Sequence, residues 1–154
     1  MRYFKKCEEF FICGSTNKKK EVFAETSETL TLFYIVVRGG AKIVDPYNST
    51  VINCSSREIV NIKPFLGKDR IALFNKRDGY YESYGFNPLN KSEDWSAKKI
   101  TSSFMGDTKS WIICFDGEAT INGKLVKKFD YAKLEDKHYE VEVGNSLLGV
   151  FTKE

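Results

Sequence analysis

Residues 33–43 read FYIVVRGGAKI, and residues 111–121 repeat the pattern as WIICFDGEATI. In each segment an aromatic residue opens an apolar run, a glycine follows it, and an alanine and an isoleucine stand at matching later places. An apolar strand, a glycine turn and a second strand form a β-hairpin, so the two segments predict a duplicated hairpin. Because self-similarity at a fixed spacing outweighs local propensity, the chain is predicted to contain two similar units.

A second match predicts where these units end. Residues 70–76 (RIALFNK) resemble residues 147–153 (LLGVFTK) at nearly the same spacing, which indicates that both units close with the same strand. The 154 residues then divide near their midpoint into units of 1–77 and 78–154.

Both units are predicted to consist of short strands between turns, and no stretch has the period of an amphipathic helix. The clearest turn is Asn122-Gly123, a pair that readily adopts the positive φ values of a tight hairpin turn. The predicted fold class is all-β, a duplicated jelly-roll barrel or sandwich. The predicted strands are residues 9–13, 21–25, 29–38, 41–45, 58–63 and 69–75, followed by 80–86, 95–103, 110–115, 118–122, 124–128, 131–134, 139–143 and 147–152.

The duplicated strand is apolar on both faces, since residues 32–37 read LFYIVV and residues 111–115 read WIICF. A strand of an isolated barrel normally turns one face to water, so two apolar faces require a cover on the outer side. We expect the other copy to be that cover, with the two halves packed together across an internal interface. A buried Phe, Leu or Ile side chain contributes about 1.5 to 3 kcal/mol, so a few such residues suffice to hold the halves together.

Composition excludes several classes of protein. The 42% hydrophobic content is typical of a globular protein, no apolar run reaches the length of a membrane span, and acidic residues interrupt the start where a signal peptide would be apolar. The four cysteines lack the spacing of a zinc site, so we expect free thiols in a reducing compartment such as the cytoplasm. A net charge of +3 is too small to indicate binding to nucleic acid.

The charge is unevenly divided between the predicted halves. Residues 1–77 hold nine Lys and five Arg against eight acids, a net charge of +6, whereas residues 78–154 hold ten Lys against thirteen acids, a net charge of −3. Every arginine lies in the first half, so a surface that meets an anion or an acidic partner is expected there.

The repeated segments resemble the cupin superfamily. The residues that carry the resemblance are 34–43 in the first copy and 111–123 in the second, followed by 128–134 (KFDYAKL), which is similar to the Gly-Asp-x-x-x-Ile-Pro stretch of cupins with the Gly and Pro replaced. The resemblance implies a jelly-roll barrel, and the duplication implies a compact bicupin.

Cupin enzymes usually hold a divalent metal with a His-x-His pair and a Glu upstream of the first glycine turn, plus a later His. The corresponding windows here are residues 25–29 (ETSET) and 104–108 (FMGDT), which lack imidazoles. A lone carboxylate does not replace the nitrogen ligands of such sites, so we expect no metal and no other cofactor.

Candidate catalytic residues are few. The only histidine, His138, is predicted to point outward from a strand between acidic residues, a poor place for a general base. Cys54 precedes a polar loop with only Arg57 nearby to activate a thiolate, and the lysines at 18–20 fit a solvated loop. We expect a binding surface instead, and the residues proposed for it are Arg38, Arg57, Arg70, Tyr80, Tyr81, Tyr84 and Trp95.

These observations favour a metal-free, noncatalytic structural or binding protein. Its expected partners are other protein subunits or further copies of the chain, and the abundance of Lys, Asn, Ile, Tyr and Phe is typical of AT-rich genomes, including those of phages, so a virion component is one hypothesis. The competing class is a metal-independent isomerase or epimerase acting on a sugar or sugar nucleotide. A third hypothesis is a regulator that binds a small ligand in one lobe.

Overall fold

The structure is a computed structural model of the chain, and it describes residues 2–17, 22–25, 31–45, 50–62, 71–75, 81–90 and 92–154. Over these ranges the chain forms strands and turns with no helix, which confirms the all-β fold class. Within the same ranges, no helix is long and apolar enough to cross a membrane. The chain divides into two compact units, Met1–Ser92 (unit 1) and Glu93–Glu154 (unit 2).

Unit 1 contains two antiparallel sheets. Its strands are β1 (Arg2–Lys6), β2 (Phe10–Asn17), β3 (Val22–Glu25), β4 (Phe33–Arg38), β5 (Ala41–Asp45), β6 (Thr50–Cys54), β7 (Glu58–Asn61), β8 (Ile71–Asn75) and β9 (Tyr81–Pro88). The first sheet has the order β1-β2-β9-β4-β7, and the second has the order β3-β8-β5-β6.

Unit 2 is built in the same way from shorter strands. They are β10 (Trp95–Ile100), β11 (Phe104–Met105), β12 (Ser110–Asp116), β13 (Glu118–Ile121), β14 (Lys124–Lys127), β15 (Tyr131–Lys133), β16 (His138–Tyr139), β17 (Val141–Glu142) and β18 (Leu147–Lys153). One sheet has the order β10-β18-β12-β15, and the remaining strands pair as β11-β16 and as β14-β13-β17.

Both units follow one strand order once β1 is set aside as an extra edge strand. Numbered within each unit, the first sheet runs first-eighth-third-sixth, and the second runs second-seventh-fourth-fifth, with the seventh strand of unit 2 divided into β16 and β17. Apart from the fourth and fifth strands, which pair with each other, consecutive strands therefore alternate between two antiparallel sheets, which is the jelly-roll arrangement. Each unit is a jelly roll, as the repeat predicts.

The repeated strand–glycine–strand segment is confirmed, but it is not a hairpin. It is β4–β5 in unit 1 and β12–β13 in unit 2, and in each unit the two strands belong to different sheets, so the chain crosses from one sheet to the other at the turn. The glycines that join the strands, Gly39 and Gly117, have φ values of 82° and 66°. The third strand of each unit also shifts register against the eighth just before this turn, between Val36 and Arg38 in unit 1 and at the matching place in unit 2.

A second turn is shared by the two units. The N–H group of Arg57 donates to the carbonyl of Val36 over 2.6 Å, and that of Phe129 donates to the carbonyl of Cys114 over 2.7 Å. Both donors have left-handed backbones, with φ values of 64° and 70°. Phe129 occupies the Gly place of the Gly-Asp stretch in residues 128–134, so the turn keeps the conformation that glycine favours although the glycine is gone.

The predicted match between residues 70–76 and 147–153 is wrong. In unit 1, β8 pairs with β3 and β5 and is the seventh strand, whereas β18 pairs with β10 and β12 and is the eighth strand of unit 2. The true counterpart of β18 is β9, where Phe86 stands opposite Phe33 as Phe151 stands opposite Trp111. Short apolar strands with a phenylalanine near the end are alike in sequence, so the match paired two different strands.

This reassignment moves the boundary between the units. The sequence placed it after residue 77, but β9 forms the centre of the first sheet of unit 1, between β2 and β4. A jelly roll cannot close without its eighth strand, so unit 1 extends to Ser92.

Both faces of the duplicated strand are buried. Residues 32–37 are at most 6% exposed, and residues 111–115 are at most 2% exposed. That each copy covers the other stays a prediction.

The interior of unit 2 is filled with apolar side chains. Residues from all of its sheets meet in one core, namely Ile100, Ile112, Cys114, Ala119, Ile121, Leu134, Tyr139, Leu148 and Val150, with Phe104, Val126 and Val141 packed against it.

Two glycines of unit 2 allow the turn geometry to be tested. At Gly117 an added Cβ would lie 2.6 Å from the carbonyl oxygen of Asn145, whereas at Gly123, with φ of 75°, no atom lies within 4 Å of it. Gly123→Ala is expected to lower the free energy of unfolding by about 1 to 2 kcal/mol through its left-handed φ alone. Gly117→Ala is expected to cost about 1 to 3 kcal/mol more, because the methyl group also displaces backbone.

Urea unfolding of the two variants measures this difference. Equal losses would mean that the loop of Asn145 moves aside, which would contradict a rigid turn at Gly117.

Candidate functional site

The eighth strand of unit 1, β9, has one face inside the barrel. Its counterpart β18 places Leu148 and Val150 in the apolar core, together with Ala119 and Ile121 of a neighbouring sheet. The eighth strand pairs with the third in the same register in both units. In this pairing Ser83 of unit 1 occupies the place of Leu148 in unit 2, and Gly85 occupies the place of Val150. Alternate residues share a face, so Ser83, Gly85 and Asn87 form the inner face of β9.

A hydrogen-bonded pair occupies this inner face. Thr31 donates from its hydroxyl to Oδ1 of Asn87 over 2.6 Å, and both side chains are at most 5% exposed. The Asn87 amide nitrogen donates to the carbonyl of Gly85 over 3.1 Å and lies 3.4 Å from the carbonyl of Phe11 and 3.5 Å from the sulfur of Cys13. Thr31 also fills the space above Gly85, since a Cβ there would lie 2.9 Å from its methyl group. The pair is therefore fixed in place.

The inner wall is more polar than its counterpart in unit 2. Ser83 replaces Leu148, and on the neighbouring third strand Tyr34 replaces Ile112. Ser83 is 4% exposed. Unit 1 thus carries a buried polar group where the same fold in unit 2 is filled by a leucine.

The outer face of β9 holds a buried carboxylate. Glu82 is 2% exposed and accepts a hydrogen bond from the Tyr84 hydroxyl over 2.5 Å, while Nε of Arg38 lies 3.8 Å from its other oxygen. The matching places in unit 2 are Leu147 and Gly149. Burial of a charge is costly unless it is paired, and these two partners supply the pairing.

The structure describes the side chains of four of the seven residues predicted for the binding surface. Arg38, with a side chain 61% exposed, and buried Tyr84 meet at Glu82, a residue that the sequence did not single out. Trp95 is fully buried, so neither it nor Tyr84 forms an exposed docking surface. Arg57 is half-buried in its turn. Tyr81 begins β9 with its side chain outside the described residues, and Arg70 and Tyr80 also lie outside them.

Of the candidate catalytic residues, the structure describes His138 and Cys54. His138 is 51% exposed and pairs with Glu140 over 2.7 Å, and Ser103 donates to the other oxygen of that carboxylate, which confirms the outward orientation. These hydrogen bonds hold the pKa of Glu140 below its ordinary value. Cys54 is fully buried rather than set in an open loop. The lysines at 18–20 lie outside the described residues.

The donor set of unit 2 does not fit a cupin metal. Phe104, in the window where the resemblance places metal ligands, stacks on Tyr139 with ring centroids 5.5 Å apart, and both belong to the apolar core. Across the part of the chain that the structure describes, no three His, Cys, Asp or Glu side chains are grouped so as to hold a metal ion.

Cys114 is an inert thiol in the same core. It is fully buried, and its sulfur donates to the carbonyl of Asp116 over 3.3 Å. Burial raises the pKa of the Cys114 thiol from 9.0 to about 11. A thiol that stays protonated at neutral pH is not a nucleophile.

Comparison with solved structures shows the fold. HutD from Pseudomonas fluorescens SBW25 is 10% identical, with a TM-score of 0.63 over 94% of this chain and 78% of that chain. PA5104, a conserved protein of unknown function from Pseudomonas aeruginosa PAO1, is 9% identical, with a TM-score of 0.62 over 95% and 80%. AerE from Microcystis aeruginosa is 9% identical, with a TM-score of 0.58 over 97% and 89%. No protein-family model and no curated protein sequence matches the chain.

The buried thiol makes stability depend on alkaline pH. Below pH 9 the thiol is protonated whether the chain is folded or not, but between pH 9 and about 11 the unfolded chain loses this proton and the folded chain keeps it. The free energy of unfolding is therefore expected to fall as the pH rises through this window. Cys114→Val, which installs the residue that unit 1 carries as Val36, is expected to reduce the fall.

Denaturant unfolding of the unchanged protein and of Cys114→Val at pH 8, 9.5 and 10.5 measures the contribution of the thiol, because Lys and Tyr titrate in both proteins. Identical dependence of the free energy of unfolding on pH in the two proteins would contradict a contribution from Cys114.

The Tyr84–Glu82 hydrogen bond is expected to matter for folding. Tyr84→Phe removes the donor to a buried carboxylate and is expected to lower the free energy of unfolding by about 1 to 3 kcal/mol. Glu82→Leu, which installs the residue found at this place in unit 2, is expected to recover part of that loss when it is combined with Tyr84→Phe. A double-mutant cycle in urea measures the coupling, and additive losses would show that the two groups do not interact.

Proposed function

We propose that this chain is a noncatalytic, metal-free protein that binds a small ligand within the barrel of unit 1, and that unit 2 is a filled barrel with a structural role. The observation that carries the proposal is the contrast between the inner walls. Ser83, Tyr34 and Asn87 line unit 1, where unit 2 has Leu148, Ile112 and Thr152.

The duplication acts as an internal control. Unit 2 shows that this strand order closes with Leu148 and Ile112 on the inner wall, so the fold itself does not require a serine or a tyrosine there. A buried polar group costs about 1 to 3 kcal/mol when it lacks a partner. Polar groups that cost stability and are not required by the fold support a role in binding.

A metal-independent enzyme acting on a sugar or sugar nucleotide has less support. Such chemistry needs ionisable groups that converge on the bound substrate. Among the described residues of unit 1, the ionisable pair Glu82 and Tyr84 lies on the outer face of β9, opposite to Ser83 and Asn87. His138 is directed to solvent. A structural role in a virion or another assembly, and a cytoplasmic location, stay predictions.

The proposal predicts that unit 1 still folds when inner-wall residues are replaced by those of unit 2, but that it no longer binds its ligand. The triple variant Tyr34→Ile, Ser83→Leu and Asn87→Thr gives unit 1 three inner-wall residues of unit 2. It is expected to fold, because the same side chains pack in that frame in unit 2, and to lose the ligand. Asn61→Lys, an exposed change to the residue found at the matching place in unit 2, serves as the control and is expected to bind normally.

Native mass spectrometry after incubation with a metabolite extract identifies what each protein retains, and repetition with EDTA tests independence of metal. Amide NMR signals of β4 and β9 are expected to shift with the ligand, and those of β12 and β18 are not. Equal retention by the triple variant, or loss of the ligand in EDTA, would overturn the proposal.

A further inference from the structure

We infer that the outer edge of β10 (Trp95–Ile100) binds an extended segment of another protein that carries acidic side chains, and that this segment joins the sheet as an added strand. The inference assigns an interaction surface to unit 2 and does not rest on the ligand proposed for unit 1.

The duplicated fold shows that a further strand fits at this edge. In unit 1 the first strand of the jelly roll, β2, lies between β1 and β9, whereas its counterpart β10 pairs with β18 alone among the described strands. The two first strands align through the matching phenylalanines of the eighth strands, because Ile12 stands opposite Phe86 and Ala97 stands opposite Phe151. In unit 1, β1 thus lies along the edge that corresponds to the outer edge of β10.

Two residues of β10 direct their backbone hydrogen-bonding groups toward this edge. The N–H of Glu154 donates to the carbonyl of Asp94 over 2.9 Å, so alternation along the ladder turns every second residue of β10 toward β18. The backbone groups of Trp95, Ala97 and Lys99 point the other way. The Trp95 N–H donates to Oδ1 of Asp94 over 2.9 Å. The outward groups of Ala97 and Lys99 have no partner in the part of the chain that the structure describes, so an added strand can pair with them.

The matching residues of unit 1 already serve such a pairing. They are Ile12 and Gly14, and both lie opposite residues of β1. The N–H of Cys7, just after β1, donates to the carbonyl of Phe10 over 2.8 Å, so alternation directs the backbone groups of these two residues to β1. The backbone pattern that β1 satisfies in unit 1 is therefore repeated at β10.

The side chains at this edge select the charge of the added strand. Lys98 and Lys99 are exposed and form no ion pair with any described residue. Opposite charges across two strands attract, so acidic side chains facing these lysines favour pairing. A second copy of β10 is disfavoured, because the register that sets Ala97 against Lys99 also sets Lys98 against Lys98. The lysines thus oppose self-pairing and favour an acidic segment.

Titration with synthetic peptides, followed by amide NMR, tests the inference. The acidic probe is acetyl-Thr-Val-Glu-Glu-Val-Thr-amide, and the basic probe has both Glu replaced by Lys. A third probe keeps the acids but replaces both Val by Pro, which removes a backbone donor from each edge of the peptide. Only the acidic valine peptide is expected to bind, and the amide protons of Ala97 and Lys99 are then expected to be protected from exchange with solvent.

Variants of β10 test the two lysines and the backbone separately. Lys98→Glu combined with Lys99→Glu is expected to weaken binding of the acidic peptide about tenfold and to allow binding of the basic one. Lys124→Glu combined with Lys127→Glu changes two exposed lysines of β14, and this matched control is expected to bind as the unchanged protein does. Ala97→Pro removes an N–H that β18 does not use, so it is expected to fold and to lose binding.

Several outcomes would overturn the inference. They are a lack of exchange protection at Ala97 and Lys99, equal binding of the acidic and basic peptides, and equal weakening by the two double variants. Binding of the proline peptide as tightly as the valine peptide would show attraction without strand addition. Sedimentation of the protein alone tests the other occupant, since a dimer that Ala97→Pro converts to a monomer would mean that β10 pairs with a second copy. Should Ala97→Pro fail to fold, the two double variants decide.

Discussion

The jelly-roll units depend on the antiparallel pairing of the eighth strand between the first and the third. In unit 1, β9 is held by β2 and β4, and in unit 2, β18 is held by β10 and β12. A central strand has neighbours on both edges, and here it is buried on both faces as well, so each of its residues is constrained by packing. Because the matching positions of β9 and β18 are under the same packing constraint, differences in residue type between the two strands are informative about how the two units are used.

The two eighth strands differ in polarity far more than in position. Phe86 and Phe151 occupy the same place, but Glu82 and Ser83 stand where unit 2 has Leu147 and Leu148. In unit 2 the leucines complete a continuous apolar core, and the ring of Tyr139 packs on Phe104 within it. The duplicated frame thus accommodates a filled barrel, and the polar wall of unit 1 reflects a different use of that frame.

The sequence predicted the two strands and the glycine turn at residues 33–43 and 111–121 because a glycine between apolar runs is a local signal, but it did not predict that the strands on either side of the turn lie in different sheets instead of forming a hairpin. It did not predict which strand closes unit 1, since pairing across the barrel is non-local and residues 70–76 imitate β18 by composition. The site was missed for a related reason. Ser83 and Asn87 look like ordinary strand residues, and they become notable only when register shows that they face the side occupied by Leu148 and Val150 in unit 2.

The energetics of β9 explain how unit 1 tolerates a polar interior. On its outer face Phe86 stacks on Phe10 with centroids 4.9 Å apart and meets the edge of Phe33 at 6.1 Å, and each buried phenylalanine contributes about 1.5 to 3 kcal/mol. That gain is of the same size as the cost of about 1 to 3 kcal/mol for a buried polar group that lacks a partner. One strand therefore separates the two tasks by alternation, with its outer face stabilising the sheet and its inner face presenting polar groups to the barrel interior.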